Sequence, residues 1–374
     1  MLERKLSAFF LGILALIAVG VVFKIASTVI MPIVIALLFS FILYPLIMAM
    51  EKVKIPNIFG IIIVLSVLSG AFYLIIMLLY RSLTTLTLHI PWYLEQLTWI
   101  YRDITQRLMT DEFPILSSDF ILDYDWGRVV RGYLITLTNS ITRFAGYSFA
   151  IFIFLLFLFL EFPVFKDNLS KASPKLKKRV IIGISRITRG VGKYLAVKAF
   201  ISAITGVLTW IVLSIIGLDF AMLWGLMAFF LNFIPYVGSI IAVLCIILQA
   251  VVQFYPSFGM VLLVAITMLA LQQTLGNIID PKLQGDRLNL SITVIIFSLS
   301  FWGWLWGPVG AVLAIPITVA IKTICLSISF LKPVGIMMGK DHKQKKRASK
   351  KQETENSKIE NNETEKSQQQ GPDS

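Results

Sequence analysis

Long apolar runs separated by polar segments of very different length occupy the first half of the chain. The runs cover Leu6 to Phe23, Val29 to Met50, Ile58 to Tyr80 and Gly146 to Phe162. A membrane-spanning helix needs about 20 apolar residues, because the hydrocarbon core is about 30 Å thick and a helix rises about 1.5 Å per residue. The pattern therefore predicts an all-α polytopic membrane helix bundle, in which the first run is a retained helix rather than a cleaved signal peptide.

The apolar runs of the second half are interrupted. They cover Phe200 to Gly217, Phe220 to Phe254, Phe258 to Leu275, Leu288 to Trp306 and Val309 to Leu331. The second of these runs is about 50 Å long as a single helix, so we expect it to bend back near Pro235. Two full spans and a re-entrant hairpin both satisfy the pattern. The chain is therefore expected to have eight to ten membrane segments, with broken or re-entrant helices among them.

The segment from Arg81 to Arg143 is polar, with six arginines, seven acidic residues and no lysine. Apolar residues recur in it at spacings of three and four, which predicts two amphipathic helices. Their stripes are Ile90, Leu94, Leu97, Tyr101, Ile104 and Leu108, and Val130, Leu134, Leu137, Ile141 and Phe144. Pro91 suits the first turn of the first helix, and the loop from Thr110 to Gly127 is expected to close a helical hairpin.

Charge asymmetry gives the orientation. Between Lys166 and Lys198, ten basic side chains accompany a single acid, Asp167. Short basic loops remain in the cytoplasm, so the lysine-free hairpin is expected outside and both termini inside. A helix starting at Ser173 and Pro174 carries an apolar stripe from Leu176 to Leu195. We expect this helix to lie on the inner membrane surface.

The chain is thus expected to contain six regions. These are three transmembrane helices (1–80), the external hairpin (81–145), a fourth transmembrane helix (146–165), a cytoplasmic basic helix (166–199), a C-terminal transmembrane bundle broken at 232–239 (200–335) and a cytoplasmic tail (336–374). From Lys340 onward the only apolar residues are Ala348 and Ile359. Such a tail cannot bury enough surface to fold, so we expect it to be disordered.

Composition supports a membrane protein and argues against an enzyme. Hydrophobic residues make up 57% and charged residues 15% of the chain, and its net charge is +13. The basic residues flank apolar runs, so we expect a lipid bilayer and no nucleic acid as partner. The two cysteines, Cys245 and Cys325, lie in apolar runs, and the chain has no His-Glu-x-x-His motif and no Walker loop. Catalysis, cofactors and metal sites are therefore not expected.

One candidate site is the segment where the long apolar run breaks. Asn232, Pro235, Tyr236 and Gly238 interrupt it, followed by Ser239. Pro235 frees backbone carbonyls, and Gly238 permits a left-handed turn or the close approach of another helix. Polar groups and broken backbone in lipid are costly unless they line a cavity, so the break is a candidate transport pathway. A hairpin turn buried against its neighbours is the alternative.

A second candidate site follows in the next span. Gln273 and Asn277 are four residues apart and share a helix face, beside Gln272, and Asp280 with Pro281 is expected to end that helix. Stacked amides can bind a polar solute. Alternatively, they tie neighbouring helices together while Asp280 caps a turn.

The segment from Trp302 to Gly310 combines three tryptophans with glycines and Pro308. It is typical of an interfacial aromatic belt followed by a tight reversal. In the last helix, Lys322 lies close to the cytoplasmic end, and we expect it to extend its ammonium group toward the surface.

These segments resemble the AI-2E (autoinducer-2 exporter) family of bacterial membrane proteins. The matching pieces run from Met31 to Pro45, Val191 to Leu195, Asn232 to Gly238, Asp280 to Gly285 and Gly307 to Pro316. The resemblance implies a multi-pass permease of the bacterial inner membrane that forms a homo-oligomer and uses an ion or substrate gradient. The chain departs from the family at Leu290 to Ile292, where relatives commonly carry a His-Pro pair, and at Ser239, where a second proline is frequent.

Three functions remain open at this point. The leading hypothesis is a permease that exports a small polar organic solute, a signalling molecule being one such solute. A monovalent cation/proton antiporter is the first alternative, although it normally needs a buried carboxylate and Glu161, Asp219 and Asp280 lie near predicted span ends. A membrane scaffold that recruits partners through its hairpin and tail is the second.

The predicted topology can be tested by labelling. Single cysteines at Ser117 or Ser118 are expected to react with an impermeant maleimide in intact spheroplasts, because the hairpin is predicted to face the periplasm. Labelling that occurs only after lysis contradicts this topology.

Overall fold

The computed structural model describes residues 2–108, 126–172, 174–235, 237–284, 290–328 and 330–339. Its helices are α1 (Leu2–Ile25), α2 (Ser27–Lys52), α3 (Asn57–Leu108), α4 (Trp126–Ala172), α5 (Pro174–Ile187), α6 (Lys193–Ile216), α7 (Ala221–Leu231), α8 (Val237–Phe254), α9 (Phe258–Gln272), α10 (Asp280–Gln284), α11 (Ile292–Ser327) and α12 (Lys332–Met337). π-Helical turns at Thr188–Gly192 and Gln273–Ile279 connect α5 to α6 and α9 to α10. The predicted all-α fold is confirmed.

Seven stretches of helix in the described ranges are long and apolar enough to cross a membrane. They begin at Ser27, Asn57, Thr138, Val180, Val237, Phe258 and Ile292. The shorter apolar helix α7 is not among these seven, and α11, which is counted once, folds back on itself. The chain is therefore a multi-pass membrane protein with broken helices, as its hydrophobic pattern predicts.

Helices α3 and α4 form a long antiparallel pair that extends beyond a bilayer. With 52 and 47 residues they are about 78 and 70 Å long, against about 40–45 Å for a bilayer with its headgroups. The expected start of a separate helix at Pro91 is wrong, since Pro91 lies inside α3. Ile90 before Pro91 and Leu94 after it belong to one hydrophobic cluster with Ile141 of α4, and this packing supports the continuous helix. The predicted loop runs from Thr110 to Gly127, and its residues 110–125 lie outside the described residues.

The part of this pair that contains the start of α3 and the second half of α4 packs with α2 around aliphatic side chains. Ile47 of α2, Ile61 of α3 and Leu155 of α4 are at most 2% exposed. Phe72 stacks on Phe144 with ring centroids 5.8 Å apart. These contacts join α2, α3 and α4 into one hydrophobic cluster.

Helix α5 continues into α6 through the first π turn. Gly192 in this turn lies against α2, where an added Cβ would be 2.4 Å from the carbonyl oxygen of Phe41. Val191 and Leu195 are buried in a cluster with Met31 and α11. The predicted apolar stripe of the basic helix therefore ends inside the protein core, because the glycine lets α2 approach closely.

The predicted bend near Pro235 is confirmed, since α7 ends at Leu231 and α8 begins at Val237. With 11 residues, α7 is about 16 Å long, roughly half the hydrocarbon thickness. We call α7 and α8 together, residues 221–254, the re-entrant hairpin. Gly217, at φ +82°, ends α6 and turns the chain, so that α7 packs antiparallel against α6.

Helix α11 reverses its direction at Trp306 and Gly307. Gly307 has φ +65°, which favours glycine. Across the reversal, the Ser298 hydroxyl donates to the carbonyl oxygen of Ala314 at 3.0 Å. The predicted tight reversal is thus confirmed, whereas Lys322 is only 8% exposed and does not extend to solvent.

Close glycine packing between α6 and α7 generates a stability prediction. A Cβ on Gly225 would lie 2.7 Å from the carbonyl oxygen of Gly206 and 2.7 Å from the Cβ of Trp210, whereas one on Gly70 meets nothing within 4 Å. We expect Gly225→Ala to cost about 1–3 kcal/mol and to lower the melting temperature in detergent by a few degrees. Gly70→Ala is the control and is expected to be neutral. Equal melting temperatures for the two variants contradict this packing.

Candidate functional site

Helix α6 carries a row of buried polar side chains. Lys198, Ser202, Thr205 and Thr209 are each at most 4% exposed. Their spacings of four and three place them on one helix face. The partners of its first two members come from α10 and from the residue that follows α7.

Asn232 at the end of α7 contacts this row. Its side chain is 5% exposed, and its Nδ2 donates to the Ser202 hydroxyl at 3.0 Å. Asn232 is the first residue after α7, so its side chain is held where the helix stops. One donor hydrogen of the amide is used in this bond, and an amide has a second donor hydrogen and an acceptor oxygen to offer.

The turn after Asn232 depends on Pro235 and Gly238. The carbonyl oxygen of Pro235 accepts from the amide of Val237 at 2.7 Å, and the amide of Gly238 donates to Ile234 at 3.2 Å. A Cβ on Gly238 would lie 1.8 Å from the carbonyl oxygen of Leu231. Position 238 therefore requires glycine because the end of α7 approaches it closely. Close approach of a helix is one of the two predicted roles of Gly238, the other being a left-handed turn. Tyr236 lies outside the described residues.

Asp280 forms a buried ion pair with Lys198. Lys198 Nζ lies 2.8 Å from Asp280 Oδ2, and the two side chains are 5% and 14% exposed. Lys198 is one helical turn from Ser202, so the ion pair and the Asn232 contact are consecutive features of the same face. The buried carboxylate neutralises a lysine that is otherwise costly to bury.

The expected helix end at Asp280 and Pro281 is wrong. The chain stays helical through the π turn Gln273–Ile279 and α10, to Gln284. A proline inside an α-helix clashes with the carbonyl four residues earlier, and a π turn displaces that carbonyl. The wide turn therefore lets Pro281 follow Asp280 without ending the helix.

The predicted amide pair lies apart from the break. Asn277 Nδ2 donates to Gln273 Oε1, as their common face predicts, but both residues are exposed on the outside of the chain. The neighbouring Gln272 instead donates to the Ser239 hydroxyl at 2.5 Å. The structure thus brings Asn232 and Asp280 to the polar face of α6, places Gly238 against the end of α7, and leaves Gln273 and Asn277 exposed.

Lys198 and Ser202 belong to this site but are not among the residues predicted for it from the sequence. Lys198 is the last residue of the basic segment 166–198, and Ser202 lies inside the apolar run from Phe200 to Gly217. Their spacing with Thr205 and Thr209 was the available signal, since polar residues recur there at helical intervals.

The site offers neutral hydrogen-bonding groups next to a paired charge. Hydroxyl and amide groups both donate and accept, which suits a solute with hydroxyl or carbonyl groups. Within the described ranges, no group of three or more His, Cys, Asp or Glu side chains is placed to hold a metal ion. The chemistry that these residues support is recognition of a polar molecule.

Comparison with known proteins adds a functional context. The sequence profile described as AI-2E family transporter matches residues 11–329. A protein of Borreliella burgdorferi, which its name classes among transport proteins, is 36% identical over 90% of this chain and 91% of its own length. The AI-2 transport protein TqsA of Escherichia coli is 33% identical over 83% of this chain and 89% of its own length. A relative from Haemophilus influenzae, also classed by name with transport proteins, is 32% identical over 83% of this chain and 90% of its own length.

The ion pair generates a stability prediction. Asp280→Asn leaves Lys198 buried without its carboxylate, so we expect a loss of about 3–5 kcal/mol and a lower melting temperature in detergent. Glu161→Gln is the control, because Glu161 is an exposed acid near a membrane boundary. The double variant Lys198→Gln with Asp280→Asn is expected to recover much of the loss. Wild-type stability of Asp280→Asn contradicts a structural role for the pair.

Proposed function

The chain belongs to the AI-2E transporter family, and we propose that it exports a small polar organic solute across the bacterial inner membrane. The proposed pathway runs past the break between α7 and α8. The observation that carries this proposal is the buried hydrogen bond between Asn232 and Ser202 at the point where α7 stops. Both termini are proposed to be cytoplasmic, and the driving force is proposed to be an ion or substrate gradient.

The depth of the break supports a pathway near the membrane centre. Ser202 is 14 residues from the outer end of α6 at Ile216 and nine from its start at Lys193. At about 1.5 Å per residue these correspond to about 21 and 14 Å. A polar side chain and a broken backbone at this depth are the usual features of a transporter binding site.

The charges around the break favour a neutral solute. Ser202, Thr205 and Asn232 are uncharged, and the nearest charged groups, Lys198 and Asp280, are paired with each other. A neutral solute with hydroxyl and carbonyl groups can bind such a surface without leaving a buried charge unpaired. AI-2 is the first solute to test, because one relative is named for its transport.

The Lys198–Asp280 pair also favours a second candidate, monovalent cation/proton antiport. The sequence placed Asp280 near a span end, but its carboxylate is only 14% exposed and contacts a buried lysine. A proton or a cation that competes with Lys198 for this carboxylate would change the charge of the site. An ion gradient can therefore act on the pathway at Asp280, alone or together with solute movement.

Replacing the amide of Asn232 tests the proposed pathway. In proteoliposomes with equal amounts of protein, we expect Asn232→Leu to lower AI-2 flux about tenfold or more, since a polar contact at a functional position is lost. Thr267→Ala is the control, because the Thr267 hydroxyl lies outside the site and donates to the carbonyl oxygen of Leu263 within its own helix. We expect this variant to keep wild-type flux.

Three other outcomes have distinct meanings. A loss in Asn232→Leu of no more than about threefold, which corresponds to the roughly 0.6 kcal/mol of an interhelical hydrogen bond, means that Asn232 only ties two helices together and removes it from the pathway. An absence of AI-2 flux through wild-type protein refutes AI-2 as the solute. Sodium-driven proton movement that is present in wild type and lost in Asp280→Asn favours the antiporter instead.

A further inference from the structure

The extramembrane part of α3, residues 81–108, which we call the α3 arm, is hydrogen-bonded to the re-entrant hairpin. The hydroxyl of Tyr93 donates to Asp219 Oδ2 at 3.0 Å and accepts from Gln249 Nε2 at 3.2 Å. Asp219 lies in the turn before α7, and Gln249 lies on α8. One side chain of the arm thus joins α8 to the turn that precedes α7.

The groups around Tyr93 form a closed network. Gln249 Nε2 also donates to the carbonyl oxygen of Asp219 at 2.9 Å, and its Oε1 accepts from the indole nitrogen of Trp224 on α7. The amide of Asp219 donates to Gln253 Oε1 at 2.8 Å. Moving Tyr93 away therefore disturbs the partners of Asp219 and Gln249 together, which makes the contact cooperative.

The arm also holds the first residue of the hairpin turn. Phe220, immediately before α7, has φ +56°, an uncommon conformation for a bulky residue. Its ring packs against His89 and Tyr93 of the arm, at centroid distances of 5.6 and 5.8 Å. The arm thus helps to keep a strained turn in place where α7 begins.

A second contact lies farther along the arm, at the turn that follows α8. The Tyr255 hydroxyl donates to the Asp103 carboxylate, which also accepts from Arg107 at 2.9 Å. This hydrogen bond raises the pKa of Tyr255 above its ordinary value, so the hydroxyl remains a donor at neutral pH. Trp99 packs on the Tyr255 ring at 5.3 Å. The contact joins the arm to the turn at the end of α8 through residues other than Tyr93.

We propose that Tyr93 is the outer gating residue of the pathway, and that the hairpin opens to the outside when the α3 arm releases Asp219 and Gln249. The inference rests on the proposed function, since it assigns a gate to the same pathway. Water or the hydroxyl groups of a solute can replace the Tyr93 hydroxyl at nearly equal enthalpy. The closed and open states therefore differ little in free energy, as a reversible gate requires.

An accessibility measurement tests the gate without a solute. A cysteine replaces Ser239, next to the break, in a chain with Cys245→Ala and Cys325→Ala, and right-side-out vesicles are treated with a membrane-impermeant maleimide. We expect Tyr93→Phe to increase the labelling rate about fivefold, because the hydroxyl is lost while the ring is kept. Tyr73→Phe is the matched control on the same helix, since Tyr73 is 71% exposed, and it is expected to leave the rate unchanged. Equal labelling in the two variants, including none in either, overturns the gate.

A cross-link provides the converse test. Cysteines at Tyr93 and Asp219, joined by a short cleavable bifunctional thiol reagent, are expected to stop AI-2 flux until the linker is reduced. Cross-linked protein that transports at the uncross-linked rate contradicts the gate. The absence of flux through uncross-linked wild-type protein instead counts against the proposed solute, and the labelling result stands independently of it.

Discussion

A helix that stops inside a membrane must satisfy its own backbone, and the α6–α9 half of the molecule is organised around this constraint. At the end of α7, the carbonyl oxygens of Phe230 and Leu231 accept from the amides of Phe233 and Ile234, at 3.2 and 2.9 Å. Ile234 accepts in turn from Gly238 at 3.2 Å. The turn thus provides its own hydrogen bonds, and it needs glycine because Leu231 approaches so closely. Its polar side chain, Asn232, then requires a partner on α6.

Small residues bring that partner within reach. Water does not drive helices together inside a bilayer, so close packing and hydrogen bonds must hold them. Gly206 and Gly225 let the backbones of α6 and α7 touch, and Gly192 does the same for α2. The polar row of α6 lies on the same helix as these contacts. Tight packing therefore fixes the depth at which Ser202 meets Asn232.

The features that the sequence predicted correctly are local ones. The length of the run that includes Pro235 forces a bend, and the glycines around Pro308 allow a reversal, whatever the rest of the molecule does. Features that depend on distant residues were not predictable in this way. Lys198 and Asp280 are 82 positions apart, and nothing in either neighbourhood identifies the other as its partner. Pro91 fits a helix start locally, but packing against α4 keeps α3 continuous.

The second candidate site shows how a π turn affects which side chains contact the break between α7 and α8. Gln273 and Asn277 do share a face, but the π turn begins at Gln273, and each π turn adds a residue that rotates the following side chains. Gln272, one position earlier, contacts Ser239 at the break instead. The same turn carries Asp280 into the protein, toward Lys198. The π turn thus contains the exposed amides and ends immediately before the largely buried carboxylate.

In the proposed transporter, the two ends of the pathway are closed by interactions of different kinds. Near the inner end, Lys198 and Asp280 form a buried ion pair that is expensive to separate unless another cation or a proton takes the place of the lysine. Near the outer end, Tyr93 closes the hairpin through neutral and charge-assisted hydrogen bonds that water can replace. An input of free energy is therefore needed mainly at the inner end. An ion gradient acting on Asp280 would supply it there, while the outer end opens and closes by thermal exchange.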